Sequence, residues 1–226
     1  MKSYSYLALG DSYTIGEQVL PGENFPNQTV ALLNKTADGA ADSHRQGSSQ
    51  TPSAVANPGD GYFTSPEIIA TTGWTTDELN TAINAANIST TYNIVSLLIG
   101  VNNQYRGRPV KDFETEFERL LQRAIYFANN IANHVFVLSI PDWGITPFSA
   151  GKDKKKIADE IDAYNTVCKM IAEKYKTHYI DITASQRTDG AKKEFLATDQ
   201  LHPSGKEYAK WATKLAREIK TVFEQI

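Results

Sequence analysis

The sequence predicts an α/β fold built on a doubly wound parallel sheet. Short apolar runs alternate along the chain with amphipathic segments of helical period, a pattern typical of right-handed βαβ units. Within these runs the apolar residues follow one another rather than alternating with polar ones, as expected for strands that helices cover on both faces. A chain of 226 residues, 41% of them apolar, suits a single domain over 1–226.

Five strands are predicted from these runs. The first is "YSYLAL" (4–9), and the strongest is "NIVSLLIG" (93–100), which glycine ends. Two more are "HVFVLSI" (134–140) and "HYIDI" (178–182), and a weaker candidate is "EIIAT" (67–71).

Three long helices are predicted from apolar stripes at steps of three and four residues. The stripes run from Phe113 to Ala128, from Ile157 to Tyr175 and from Tyr208 to Val222. Residues 34–61 interrupt the pattern, because they are rich in Ala, Ser, Gly, Asp and Pro. This segment is predicted to be a long surface loop or an insertion.

Charge and hydropathy exclude several classes of function. With 23 basic and 26 acidic side chains, the chain carries a formal charge of −3, which does not suggest a nucleic-acid partner. No apolar run approaches the roughly 20 residues of a membrane span. The single cysteine, Cys168, cannot form an internal disulfide and occupies an apolar helical position, so it is predicted to be buried. The start lacks a signal peptide, which leaves a cytoplasmic protein or a mature exported form.

Candidate site residues, several of them polar, follow the predicted strands at the points where the strands end. In an open parallel sheet, ligands bind just beyond the carboxyl ends of the strands, so these residues are expected to gather at one edge. In chain order they are Ser12 after the first strand, Gly73 and Trp74, Asn102 and Asn103, Trp143, and finally Asp199 with His202.

Such a set contains the parts of an acyl-transfer site. A serine hydroxyl needs a base such as His202 to take its proton, and Asp199 lies close enough in sequence to orient that imidazole. The N–H groups of Ser12 and Gly73 and the amide of Asn102 can bind an oxyanion. Each piece alone is commonly a turn or a helix cap. Their order, one set at each strand end, favours a catalytic site.

The chain resembles the GDSL-type, or SGNH, hydrolases in four blocks between Leu7 and Trp211. The blocks are "ALGDSYTIGE", "TGWTTDEL", "IGVNNQ" and "DQLHPSG". The resemblance implies that Ser12 is the nucleophile, that Asp199 and His202 complete a catalytic triad, and that Ser12, Gly73 and Asn102 form the oxyanion hole.

The resemblance also implies a flavodoxin-like three-layer α/β/α sandwich with five parallel strands. It implies a serine esterase that forms an acyl-enzyme on a small-molecule ester, which is an acylated sugar, a lipid or a simple ester. It implies no metal, no organic cofactor and no required protein partner. The third block usually reads Gly-x-Asn-Asp in this family, whereas here Asn103 stands in the last position.

Trp74, Asn103 and Trp143 are candidates for a substrate pocket, although Trp143 and Phe148 could equally be packing residues. Three alternatives stay open: a transacylase acting on a carbohydrate, a carbohydrate-binding module without catalysis, and a flavodoxin-like binding protein. The last alternative is disfavoured because the first loop has too few glycines and hydroxyls to hold a phosphate. The sequence does not indicate the acyl chain length or the oligomeric state.

Overall fold

The computed structural model describes residues 2–35 and 61–223, and its centre is a five-stranded parallel sheet. The strands in chain order are β1 Lys2–Tyr4, β2 Tyr6–Asp11, β3 Gly61–Phe63, β4 Glu67–Thr71, β5 Ile94–Leu98, β6 Val135–Leu138 and β7 His178–Ile180. The main sheet has the order β4-β2-β5-β6-β7, and β1 pairs with β3 in a small separate sheet. The predicted parallel sheet is confirmed.

Helices flank this sheet in two layers. They are α1 Ser12–Ile15, α2 Phe25–Leu33, α3 Thr76–Ala86, α4 Val101–Tyr105, α5 Val110–Phe127, α6 Lys154–Lys174, α7 Thr183–Asp189 and α8 Gly205–Phe223. Helix α2 packs on α8, whereas α3 packs on α5 and α5 on α6. Among the described residues, no helix is both long enough and apolar enough to cross a membrane.

Burial of the predicted stripes explains why these segments form helices and strands. Every residue of β2, β5 and β6 is buried, and so is the α8 stripe that includes Tyr208 and Trp211. Cys168 is also fully buried in α6, and burial raises the pKa of its thiol, which leaves it a poor nucleophile.

Two predicted segments differ from the structure. The first predicted strand, 4–9, is two strands, because Ser5 leaves the ladder and donates its backbone N–H to Asn93 Oδ1 at 2.8 Å. The predicted insertion 34–61 lies mostly outside the described residues.

The order of the strands creates the position for a site. The chain runs from β2 to β4 on one side and then from β4 to β5 on the other side of β2, so the direction of winding reverses at β2. Such a reversal opens a crevice at the carboxyl end of the strand. Gly100 makes the turn from β5 into α4 with φ of 128°. A Cβ at this position would lie 2.7 Å from Ile140 Cδ1 and from Phe113 Cε2, so only glycine fits.

Candidate active site

Ser12 lies where the central strand β2 passes directly into helix α1. Asp11 caps this short helix, since its Oδ1 accepts the backbone N–H of Tyr13 at 3.0 Å. Gly16 ends the helix in the left-handed conformation, with φ of 77°. The hydroxyl of Ser12 is thereby fixed at the carboxyl end of the sheet, in a side chain only 3% exposed.

Asp199 organises the loop that carries His202. Its Oδ1 accepts the backbone N–H groups of Leu201 and His202, both at 3.0 Å. Its Oδ2 lies 2.6 Å from His202 Nδ1. One carboxylate therefore shapes the turn and orients the imidazole at the same time.

The other ring nitrogen of His202 faces the serine. His202 Nε2 lies 3.0 Å from Ser12 Oγ. With Nδ1 donating to Asp199, Nε2 is left as the acceptor and the Ser12 hydroxyl as the donor. The ring of Tyr13 packs 5.1 Å from the imidazole, centroid to centroid, and Trp211 stacks near Tyr13. These aromatic contacts restrict the orientation of the His202 ring.

The surroundings of Asp199 favour its ionised form. Burial alone would raise the pKa of this carboxyl, but the hydrogen bonds from the His202 ring and from the backbone of Leu201 and His202 outweigh burial. The pKa of Asp199 therefore lies below its ordinary value. At neutral pH this group is a carboxylate that can stabilise a charged imidazolium.

Gly73 and Asn102 line the same cavity as Ser12. Gly73 occupies a turn with φ of 85°, and Arg106 Nη2 donates to its carbonyl at 2.6 Å. Asn102 Nδ2 donates one of its hydrogens to the Trp74 carbonyl at 2.9 Å. An amide nitrogen carries two hydrogens, so the second remains for a ligand. This contact fixes the direction in which the free N–H of Asn102 points.

A cavity of about 170 Å³ joins these groups. Ser12, Gly73, Asn102 and His202 line its polar side. The apolar side is lined by Val101, Tyr105, Trp143, Phe148 and Leu201. Trp143, which the sequence proposes for a pocket, therefore lies at the cavity.

Asn103 lies outside this cavity, contrary to the pocket role proposed for it. Its side chain is fully buried, with Oδ1 accepting the Thr76 N–H at 3.1 Å and Nδ2 donating to Thr76 Oγ1 at 2.6 Å. The Thr76 hydroxyl in turn donates to Glu116. These contacts turn Asn103 away from Ser12 and fasten α4 to α3.

Trp74 also lies outside the cavity at Ser12. Its side chain packs against the core and lines a separate surface depression with Asp77 and Glu78. Its backbone carbonyl, rather than its ring, contacts the site through Asn102. The pocket role proposed for the Trp74 ring is therefore not met.

Several residues around the site were not predicted from the sequence. Tyr105 follows Asn102 by one helical turn, which is a signal that could have placed it at the cavity. Arg106 and Gln104 carry no such signal, because their partners, Gly73 and Trp143, lie about 30 to 40 residues away in the chain.

Comparisons with known proteins agree with this fold. The sequence profile of the GDSL-like Lipase/Acylhydrolase family matches residues 8–210. No curated protein sequence matches the chain.

Solved structures of similar fold include three hydrolases. The psychrotrophic esterase EstA of a Pseudoalteromonas species, inhibited by monoethylphosphonate, has a TM-score of 0.66 at 15% identity, covering 98% of this chain and 99% of its own. The lipase/acylhydrolase of Enterococcus faecalis has a TM-score of 0.64 at 17% identity, covering 98% of this chain and 96% of its own. The acetylxylan esterase Axe2 of Geobacillus stearothermophilus has a TM-score of 0.65 at 18% identity, covering 96% of this chain and 94% of its own.

Proposed function

Because the chain belongs to the GDSL-like lipase/acylhydrolase family of ester-bond hydrolases, we propose that it is a serine esterase acting through Ser12, His202 and Asp199. The observation that carries this proposal is one continuous line of hydrogen bonds. Ser12 Oγ lies 3.0 Å from His202 Nε2, and His202 Nδ1 lies 2.6 Å from Asp199 Oδ2. A nucleophile, a base and an orienting carboxylate in this order are the requirements for covalent catalysis.

Acylation begins when an ester carbonyl enters the cavity beside Ser12. His202 Nε2 takes the hydroxyl proton as Ser12 Oγ forms a bond to the carbonyl carbon. Asp199 remains ionised and stabilises the imidazolium that results. His202 then donates the proton to the alkoxide oxygen of the alcohol, the ester bond breaks, and the acyl group stays on Ser12.

Three donors are proposed to stabilise the tetrahedral intermediate. They are the backbone N–H groups of Ser12 and Gly73 and the free amide N–H of Asn102. All three residues line the same cavity. The positive φ of Gly73 and the contact between Asn102 and the Trp74 carbonyl hold the last two donors in place before the substrate arrives.

Deacylation repeats the cycle with water. His202 removes a proton from a water molecule, which attacks the acyl carbonyl, and the proton returns to Ser12 as the acid leaves. The small exposure of Ser12 and His202 limits this step to water that enters through the cavity.

The test is Ser12→Ala assayed on p-nitrophenyl acetate. Removing the nucleophile of a comparable triad costs about 10⁶ in kcat, so we expect a loss of at least about 10³. Ser185→Ala is the matched control. Ser185 lies on α7, it is not among the residues that line the cavity, and its hydroxyl donates to the Ile182 carbonyl. A fluorophosphonate should label the wild type and the control but not Ser12→Ala. Activity of Ser12→Ala within about tenfold of wild type would contradict the proposal.

A further inference from the structure

Three aromatic rings form one side of the cavity beside Ser12, and we call them the aromatic wall. The ring of Tyr105 lies 5.2 Å from that of Trp143, centroid to centroid, and 6.4 Å from that of Phe148. Trp143 and Phe148 are 6.1 Å apart. Each ring thus lies close to the other two. Tyr105 and Phe148 are about half exposed, whereas Trp143 is buried.

Trp143 is the fixed member of this wall. Its Nε1–H donates to Gln104 Oε1 at 2.7 Å, and Gln104 Nε2 donates to Glu160 Oε2 at 2.7 Å. Trp143 and Gln104 are 4% and 5% exposed, respectively. Breaking either bond would leave a buried polar group unpaired, which is costly. This Trp143–Gln104–Glu160 relay ties the wall to α4, which carries Asn102, and to α6.

The backbone before Trp143 is fixed independently. Asp142 Oδ2 accepts Arg187 Nε at 2.8 Å, and Oδ1 accepts the Gly144 N–H at 2.8 Å. The backbone N–H of Asp142 donates to Gln186 Oε1 at 2.9 Å. Trp143 is therefore held by its ring and on both sides of its backbone, and it cannot swing aside as a free loop residue could.

The wall extends from α4 to the loop that carries His202, since the backbone N–H of Phe148 donates to the Gln200 carbonyl at 3.4 Å. Tyr105 belongs to α4, one turn after Asn102, and Gln104 of the same helix holds Trp143. The leaving alcohol must depart toward His202 Nε2, which protonates it, and the oxyanion faces the Asn102 amide. The acyl chain takes the remaining direction, for which the cavity offers the apolar lining of the aromatic wall. The cavity volume of about 170 Å³ is small beside the roughly 300 to 1,000 Å³ of pockets that hold drug-sized ligands. It therefore suits an ester with a short acyl chain better than one with a long chain.

We propose that the aromatic wall closes the acyl side of the pocket and restricts the substrate to esters of short acyl chains. In this proposal, Trp143 sets the limit, and Gln104 is a positioning residue that acts through Trp143. The inference rests on the proposed function, since it assigns a substrate class to the same site. It predicts a limit in chain length that depends on the buried Trp143.

The first test compares p-nitrophenyl acetate, butyrate and octanoate with the wild type and with Trp143→Ala. We expect the wild type to have a kcat/KM on octanoate at least about tenfold below that on butyrate, because several methylenes do not fit. Trp143→Ala should raise the octanoate-to-acetate ratio of kcat/KM by about tenfold or more. A series of acetate esters with lengthening alcohols should show no comparable change in this variant.

A second variant, Gln104→Met, keeps the volume of the side chain and removes both hydrogen bonds of the relay. We expect its octanoate-to-acetate ratio to rise by about fivefold, since a released Trp143 ring yields to longer chains. A merely structural role would lower kcat/KM on all three esters together and leave the ratio unchanged. Glu160→Gln retains an acceptor for Gln104 and should keep the wild-type ratio. Gln122→Met makes the same substitution at an exposed residue that bonds Tyr175 and should also keep it.

The outcomes separate the two proposals. If the wild type hydrolyses none of the esters and no fluorophosphonate labels Ser12, the proposed function fails. If Ser12 is labelled but octanoate is hydrolysed as well as butyrate, only the limit in chain length fails. An unchanged octanoate-to-acetate ratio in both Trp143→Ala and Gln104→Met would overturn the role of the wall. A response confined to the series of alcohols would also overturn it, because the wall would then contact the alcohol part of the ester and not the acyl chain.

Discussion

The buried carboxyl of Asp11 makes folding stability depend on pH. Asp11 is 1% exposed, and its largest perturbation is burial, which raises its pKa from 3.8 to about 7. The hydrogen bond from the Tyr13 N–H opposes this rise without cancelling it. We expect Asp11→Asn to remove the contribution of this carboxyl to the pH dependence and to keep the cap, because an amide oxygen can also accept the Tyr13 N–H.

The sign and the magnitude follow from the difference in pKa between the folded and unfolded chains. Below about pH 4 Asp11 is protonated in both states, and its favourable contribution is complete. Between about pH 4 and 7 the unfolded chain loses the proton while the folded chain keeps it, so stability falls as the pH rises. A pKa difference of about three, at about 1.4 kcal/mol each, amounts to about 4 kcal/mol. Above about pH 7 the loss is complete.

The measurement is the free energy of unfolding in urea at several pH values between about 4 and 8, for the wild type and for Asp11→Asn. Taking the difference between the two proteins cancels the contributions of all other titrating groups. Asp153→Asn is the matched control, since Asp153 caps α6 in the same way at an exposed position. The gain of Asp11→Asn over wild type should increase by about 4 kcal/mol over this range. A difference that stays constant with pH would refute the argument from burial.

Two further predictions concern the proposed chemistry. Asn102→Ala should lower kcat by about 10² to 10³ on a short p-nitrophenyl ester, with a much smaller change in KM, because the amide is proposed to bind the oxyanion and not the ground state; an effect confined to KM would argue against that role. Asp199→Asn should cost less kcat than His202→Ala, because it leaves the base in place. The opposite order, in variants whose unfolding curves show that they are folded, would mean that the carboxylate is misassigned.

Much of the fold could be predicted from the sequence because strand and helix patterns are local. The β4 strand, from Glu67 to Thr71, coincides with its predicted run, and α8 contains its predicted apolar stripe. The predicted stripes of α5 and α6 extend one residue past the ends of those helices, to Ala128 and Tyr175. The break at Ser5 could not be predicted, since its cause is a bond to Asn93, 88 residues away. Periodicity has no means of registering such a contact.

The site likewise has a part that could be predicted from the sequence and a part that could not. Ser12, Gly73, Asn102, Asp199 and His202 could be singled out because parallel strands bring their carboxyl ends to one edge. The Trp143–Gln104–Glu160 relay could not, because side chains from three separate elements meet there with no shared spacing. The sequence therefore indicates which groups gather at the edge of the sheet, but not which of them are held rigidly.

Asn103 illustrates how packing can replace a charge beside the site. An aspartate there could only accept hydrogen bonds, so the Thr76 hydroxyl would have to donate to it. Asn103 instead donates to Thr76 Oγ1, which frees the Thr76 hydroxyl hydrogen for Glu116. The negative charge is thus carried by Glu116 on α5, and the residue next to Asn102 is neutral. The junction between α3 and α4 stays hydrogen-bonded, so the free amide of Asn102 keeps its direction without a buried carboxylate at position 103.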